Sequence, residues 1–327
     1  MHSVKKQMRV RTRITASPAV AARLIREGRV VAFPTETVYG LGALALDERS
    51  VRMIFDAKGR PADNPLIVHI GAREQVKELV RKLPKSAERL MDAFWPGPLT
   101  IVLPRSNRVS DAVTAGLDTV GIRLPSHPVA LAFLRVVGVP VAAPSANRSG
   151  RPSPTSWQAV QQDLDGRIAA ILKGPRSRVG LESTVVDCSG RVPVVLRAGA
   201  VSLEELREVV RGTRSASRAD VEQGRSPGLR HRHYAPRARV FVGGETPARF
   251  PARSAWIGVG KAPRGVALSE SCRDVRAYAR ALFHFFRRCE GVGIRQIYCQ
   301  TVSTRGIGAA LMDRLRRAAA GSVKPVG

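Results

Sequence analysis

The stretch that most constrains this chain runs from Ala32 to Ile70 and reads AFPTETVYGLGALALDERSVRMIFDAKGRPADNPLIVHI. A β-branched run from Arg29 to Phe33 breaks at Pro34 into a threonine-rich turn holding Gly40 and Gly42. A helical segment capped by Asp47 and carrying Val51, Ile54 and Phe55 then ends at Lys58-Gly59-Arg60, and a second apolar run closes on His69. The expected order is strand, polar loop, helix, basic turn, strand. Glycines let a backbone approach a ligand closely and threonines offer hydroxyls. A lysine and an arginine flanking a glycine form a compact cationic corner suited to phosphate or carboxylate. The same two charges also have a structural explanation, since cations favour the negative end of a helix dipole.

At 327 residues the chain exceeds the usual size of one domain, so two are expected, each large enough to bury a core. No uninterrupted apolar run approaches the roughly 20 residues of a membrane span. The basic N-terminus (Met1 to Arg13) has no apolar core before a cleavage site, so no secretory signal is read and a cytoplasmic protein is expected. Cys188, Cys272, Cys289 and Cys299 form no C-x-x-C pair, which argues against a zinc site or a disulfide framework and for reduced, buried thiols. The formal charge of +28 favours anionic partners such as nucleotides, RNA or acidic proteins. Arginine is spread along the chain, so a general compositional bias explains the charge as well as an RNA-binding face does.

After residues 1–13, a loose basic tail, Ser17-Pro18 starts a helix that Gly28 ends. Helical patterns over 72–82 and 86–94 stop at Trp95-Pro-Gly-Pro98, which cannot continue a helix. Leu99–Leu103 and Thr119–Leu124 read as strands. Arg123, amid apolar neighbours in the latter, sits either at a sheet edge or against a ligand carboxylate. A helix from Pro128 leads to the buried strand Val139–Ala143, which empties into Pro144-Ser-Ala-Asn-Arg-Ser-Gly-Arg-Pro-Ser153. Small hydroxyl and amide residues after a strand mark either a ligand loop of an open α/β sheet or a plain surface loop. A helix from Thr155, strands at Ile168–Leu172, Glu182–Asp187 and Pro193–Arg197, and a helix opened by the capping box Ser202-x-x-Glu205 follow.

Gly, Ser, Arg and Pro replace the periodic apolar residues over 212–238, so this is the linker. It holds His231, His233 and Tyr234 where a spacer needs none. The two histidines lack carboxylate or cysteine partners nearby, so no metal site is expected there. Residues 239–327 alternate strand (Arg239–Val242, Ala255–Val259, Ile294–Cys299) with helix (about Arg273–Arg288 and Gly308–Ala319). They form a smaller α/β domain with a parallel sheet. Thr304–Gly308 superficially suggests a phosphate loop but lacks the full glycine spacing and a following acidic residue.

PTETVYGLG (34–42), Lys58-Gly59-Arg60, NPLIVHI (64–70), WPGPLT (95–100), PSAN (144–147), ESTVVD (182–187) and the SPG…HYAP linker stand in one order. Together they resemble the YrdC-domain L-threonylcarbamoyladenylate synthases in their longer, two-domain form. The resemblance runs from about residue 14 to the C-terminus, is most specific in the first domain and linker, and departs at Ala198, Leu229 and His231. It implies a YrdC-type twisted mixed β-sheet flanked by helices over 14–212, a linker or lid over 213–238, and a smaller Rossmann-like α/β domain over 239–327.

The activity that the resemblance implies joins L-threonine, bicarbonate and ATP into threonylcarbamoyl-AMP and pyrophosphate, for N6-threonylcarbamoylation of tRNA adenosine 37. It would place ATP on Arg60, Asn64, Thr119, Ser145, Asn147, Ser153 and Arg197, with Tyr234 folding over the nucleotide. L-threonine would lie on Thr37, His69, Arg123 (at its carboxylate), the backbone of Ala143 and Ser183. Lys58 would neutralise the carbamate or the transferring phosphate, with Arg60 beside it. Mg²⁺ would accompany ATP through phosphates and water without a protein ligand. A downstream threonylcarbamoyl transferase complex would take the product, with any tRNA contact indirect and no membrane partner. The competing expectation is a non-catalytic basic protein that binds RNA or tRNA, with steep salt dependence and no response to threonine.

Overall fold

The computed structural model describes residues 11–217, 220, 234–243, 247 and 249–322. Among them, eleven strands form one mixed sheet. From edge to edge it runs β1 (Arg13–Thr15), β8 (Ala170–Leu172), β2 (Val31–Phe33), β3 (Gly40–Leu44), β7 (Val141–Ala142) and β4 (Ile67–His69). It continues through β6 (Thr119–Arg123), β5 (Leu99–Pro104), β9 (Thr184–Asp187), β10 (Val194–Arg197) and β11 (Arg214–Ser215). A second sheet, with order β12 (Arg239–Val242), β15 (Gln296–Cys299), β13 (Ser254–Val259) and β14 (Leu268–Cys272), is parallel throughout. This matches the expected pairing of a twisted mixed sheet with a smaller Rossmann-like domain. The first sheet begins inside the segment expected as a tail: Thr12 donates to the Ile168 carbonyl and Arg13 pairs with Ala170. It also continues through β11, past the expected boundary at 212.

Two sequence expectations need correcting. The glycine-rich turn after Pro34 is not wholly loop, because its second half is β3, antiparallel to both β2 and β7. Its glycines answer to packing: a Cβ on Gly40 would lie 3.1 Å from the Phe33 ring, and one on Gly42 2.8 Å from Val141. Helical residues 72–82 are likewise shorter than read, a 3₁₀ turn at Arg73–Gln75 followed by Val76–Leu79. The helix Glu48–Lys58 forms as expected, with the Asp47 carboxylate accepting from the Arg49 and Ser50 amides and Gly59 closing it at φ 59° in the left-handed region. Only a residue tolerant of that region ends a helix there cheaply.

The small domain has an apolar core, with Tyr278, Leu282, Phe283, Phe285 and Phe286 of the helix Val275–Gly291, that also takes in Val38 and Leu181 of the first domain. That helix docks on the first domain through charge as well. Arg287 pairs with the fully buried Asp163 at 2.8 Å, and Arg151 bridges Asp163 to Glu290. The two backbones meet at Gly180, where a Cβ would lie 2.5 Å from the Arg280 Cα, so a larger residue would force the domains apart. Ala235 and Arg237, at the end of the linker, bind the Gly150 carbonyl and the Glu290 carboxylate. Residues 226–233, including the histidine pair, lie outside the described residues.

Candidate active site

The pocket lies on one face of the large sheet. Parallel β4 and β6 set Ile67 against Gly121 and His69 against Arg123, and alternation turns these four to the same side. Antiparallel β7 brings Ala143 beside Ile67, whose carbonyl accepts the Ala143 amide at 2.8 Å. The loop that follows β7 then crosses Gly40, which bridges to Ser145. The resulting cavity is lined by Arg60 and Arg197 together with Thr37, His69 and Arg123.

Of the residues expected from sequence, Thr37, Arg60, His69, Arg123, Ala143, Ser145, Asn147, Ser153, Ser183, Arg197 and Tyr234 line this cavity. Lys58, Asn64 and Thr119 do not. Asn64 is buried beside it, and its carbonyl accepts from Arg60 at 3.1 Å. Thr119 is half-buried at the far end of β6, two residues beyond Gly121 on the same face. Lys58 is buried behind the loop, and its ammonium donates to the Ser145 and Asn147 carbonyls, each at 2.5 Å. Burial holds its pKa well below the ordinary lysine value, with the charge of Arg60 adding to the effect.

Arg123 is held from three directions. Its Nε donates to the Gly97 carbonyl at 3.2 Å, Nη1 to the Thr37 hydroxyl at 2.8 Å, and Nη2 makes a 2.7 Å ion pair with Glu36. The Trp95-Pro-Gly-Pro98 turn therefore does more than stop a helix, because it supplies one of these acceptors. Both partners of the ion pair are almost completely buried, at 4% and 3% side-chain exposure. Burial alone would raise the Glu36 carboxyl, but Arg123 outweighs it and holds the pKa below the usual range. Thr37 also hydrogen-bonds Thr35, and Ser183 hydrogen-bonds Thr100, each at 2.8 Å, so both hydroxyls are oriented before any ligand arrives.

His69 packs edge-on against Phe33, and its Nδ1 lies 3.3 Å from the Ile67 carbonyl. Burial, with Arg123 nearby, pushes its pKa down to about 3. A histidine whose folded pKa falls below its ordinary value stabilises the native state fully above about pH 6.5. That contribution drains away as pH falls toward 3. The urea midpoint is expected to drop between pH 6.5 and 4, and His69→Gln to flatten that drop in part, since His127 and His284 are shifted the same way. An unchanged slope in His69→Gln would contradict a buried neutral ring.

Arg60 donates to the Asn64 and Pro65 carbonyls and Arg197 to the Ser183 carbonyl, and both guanidinium groups line the cavity. Burial brings Arg60 down to about 10, so it stays cationic at neutral pH. Asn147 donates to the Arg148 and Arg151 carbonyls while its buried Oδ1 has no hydrogen-bond partner. Tyr234 adopts a left-handed φ of 68° and stacks on Phe283 of the small domain, with ring centroids 5.4 Å apart. Sequence reading missed Glu36 and Glu182, although both stand inside its motif blocks amid threonines and apolar residues. Glu182 lines the cavity and accepts from Ser153 at 2.6 Å.

Fold and site together define a class: a two-domain α/β protein whose first domain holds an arginine-walled cavity, with oriented hydroxyls and a neutral histidine beside a buried Arg–Glu pair. Two family profiles match the sequence, Sua5/YciO/YrdC, described as telomere recombination, over residues 23–199, and the threonylcarbamoyl-AMP synthase C-terminal domain over 201–320. The chain belongs to the Sua5/YciO/YrdC family. It is 44% identical over 318 residues to the threonylcarbamoyl-AMP synthase of Pyrococcus abyssi, covering 91% of this chain and 93% of that protein. It is 42% identical over 324 residues to the Bacillus subtilis enzyme of the same name, covering 93% of each. The crystal structure of P. abyssi Sua5 complexed with L-threonine superposes with a TM-score of 0.86 at 40% identity, over 95% of this chain and 98% of that one.

Proposed function

We infer that this chain is a threonylcarbamoyl-AMP synthase, an ATP-dependent nucleotidyltransferase acting in tRNA modification. The observation that carries the reading is the convergence, in one cavity, of Arg60, Arg197, Ser145 and Ser153 with Thr37, His69, Arg123 and Ser183. L-threonine and ATP are its substrates. Bicarbonate is the proposed third: threonine's amine and bicarbonate give a carbamate, whose oxygen attacks the α-phosphorus of ATP as pyrophosphate leaves. Two anions must meet, so the protein's task is alignment and charge neutralisation.

Arg60 and Arg197 suit the phosphates, since a guanidinium pairs two oxygens at once. Asn64, Thr119, Ser145, Asn147, Ser153 and Tyr234 complete the proposed nucleotide set. Arg123 would meet the threonine carboxylate, with Thr37, His69, Ser183 and the Ala143 backbone around it. A neutral His69 fits this role, because it adds no charge next to the threonine ammonium or the carbamate. Lys58 is proposed to act through the loop it holds. Magnesium would enter with ATP, held through the phosphates and water.

A cytoplasmic setting, a downstream threonylcarbamoyl transferase and an indirect relation to tRNA belong to the same proposal. Among the described residues no helix is long and apolar enough to cross a membrane, and the four cysteines are free and buried. The test is pyrophosphate release by the purified protein, expected only with ATP, threonine and bicarbonate all present. Release that persists without threonine would overturn the reading. Salt-sensitive tRNA binding without such turnover would favour the RNA-binding alternative.

A further inference from the structure

One side chain of the small domain reaches the wall of the cavity. Arg314, on the helix Ile307–Ser322, is completely buried. Its Nε donates to Glu182 Oε2 at 2.7 Å, its Nη2 to the Ala198 carbonyl at 3.1 Å, and its guanidinium lies over the Tyr234 ring, 5.2 Å from the centroid. Its Nη1 pairs with its chain neighbour Asp313 at 2.5 Å. Each contact on the first-domain and linker side leads to a residue proposed to hold the nucleotide. Glu182 holds the Ser153 hydroxyl with its other oxygen, Ala198 follows Arg197 in the chain, and Tyr234 lines the cavity itself.

We propose that Arg314 is a positioning residue for the nucleotide, supplied by the small domain, and that it makes a buried glutamate tolerable beside a triphosphate. The proposal rests on the synthase reading for the identity of that ligand. Its physical basis is charge. Glu182 is a carboxylate in the wall of a cavity proposed to hold a polyanion, where an uncompensated negative charge would repel the phosphates and itself be costly to bury. Arg314 cancels that charge from behind while fixing which oxygen faces Ser153. The fork is divided among Glu182, Ala198 and Asp313, so loss of the side chain would release several parts of the wall together. The domain interface thus contributes to the site as well as to docking.

The experiment measures the Kd of a non-hydrolysable ATP analogue and the separate KM values for ATP and L-threonine, in wild type, Arg314→Met, Arg314→Lys and Arg314→Met/Glu182→Gln. Arg314→Met is expected to weaken analogue binding and raise the ATP KM by about tenfold or more, in line with the loss of a hydrogen bond to a charged group. The threonine KM should move less than about twofold by the same reasoning, since Arg314 itself touches none of Thr37, His69, Arg123, Ala143 and Ser183. The double variant should recover part of the nucleotide affinity lost in Arg314→Met, because neutral glutamine repels nothing and still accepts from Ser153 although the Ala198 and Tyr234 contacts stay lost, and Arg314→Lys should fall between wild type and Arg314→Met. Unaltered analogue affinity in Arg314→Met, equal losses for both substrates, or no recovery in the double variant would each overturn the proposal. Should Arg314→Met fail to fold, Glu182→Asp, which keeps the charge but shortens the reach, is expected to give the same split, and wild-type affinity there overturns it. Analogue binding is read without turnover. A wild type that binds the analogue through Arg314 but shows no threonine-dependent release would therefore sink the synthase reading alone, and the converse result the positioning role alone.

Discussion

Arg123→Met is expected to remove threonine-dependent pyrophosphate release by about 100-fold or more and to destabilise the protein by about 3–5 kcal/mol, the cost of stranding one member of a buried charge pair. The two losses have separable causes. Stability falls because Glu36, almost completely buried, loses its only ion-pair partner among the described residues. Activity falls because the proposed seat of the threonine carboxylate is gone. The double variant Arg123→Met/Glu36→Gln removes both charges at once, and replacing a whole buried pair by neutral groups is often close to neutral in stability. It should therefore recover most of the urea midpoint while remaining inactive. A threonine KM near wild type in Arg123→Met would show instead that the arginine serves Glu36 and Gly97 only, and the proposed threonine site would need another carboxylate partner.

What was legible beforehand, and what was not, follows the range of the interactions involved. The helix Glu48–Lys58 could be read at both ends because its signals are local: Asp47 caps the first turn and Gly59 takes the one backbone conformation that other residues avoid. The capping box of Ser202 and Glu205 was equally plain and forms with both hydrogen bonds. Strand β3 was hidden because glycines read as turn, whereas the Phe33 ring and Val141 leave no room there for anything larger. Strand β14 was hidden for the opposite reason: Leu-Ser-Glu-Ser-Cys is polar on the exposed side of a sheet edge and shows no apolar run.

Within the site, the residue types were visible but their partnerships were not. Arg123 was left open between a sheet edge and a ligand; it lies in the interior of the sheet, lining the cavity and paired with Glu36, which is 87 positions away in the chain. No local pattern encodes such a pair. Arg314 is harder still, since it stands in the basic segment Asp-Arg-Leu-Arg-Arg, where Arg316 and Arg317 look the same on paper and only docking of the small domain separates them.

Lys58→Met is expected to lower turnover by a comparable factor, and the route of that loss distinguishes two roles for one charge. In the structure the ammonium faces protein: its donors go to the Ser145 and Asn147 carbonyls, and it does not line the cavity. Those carbonyls belong to the loop whose side chains, Ser145 and Asn147, do line it. Removing the lysine deletes two charge-assisted hydrogen bonds worth about 1.5–3 kcal/mol each and leaves both acceptors without their donor. The loop 144–153 would then be free to move. Part of the stability loss is offset, since a lysine held below its ordinary pKa by burial weakens the native state at every pH below that value. Amide hydrogen exchange over 144–153 decides between the roles. If Lys58 is a strut, exchange there rises by about tenfold or more and the ATP KM rises with it, in proportion to the opening of the loop. If the ammonium instead leaves its carbonyls to meet the carbamate or the transferring phosphate, the loop stays protected, the ATP KM holds, and only kcat collapses.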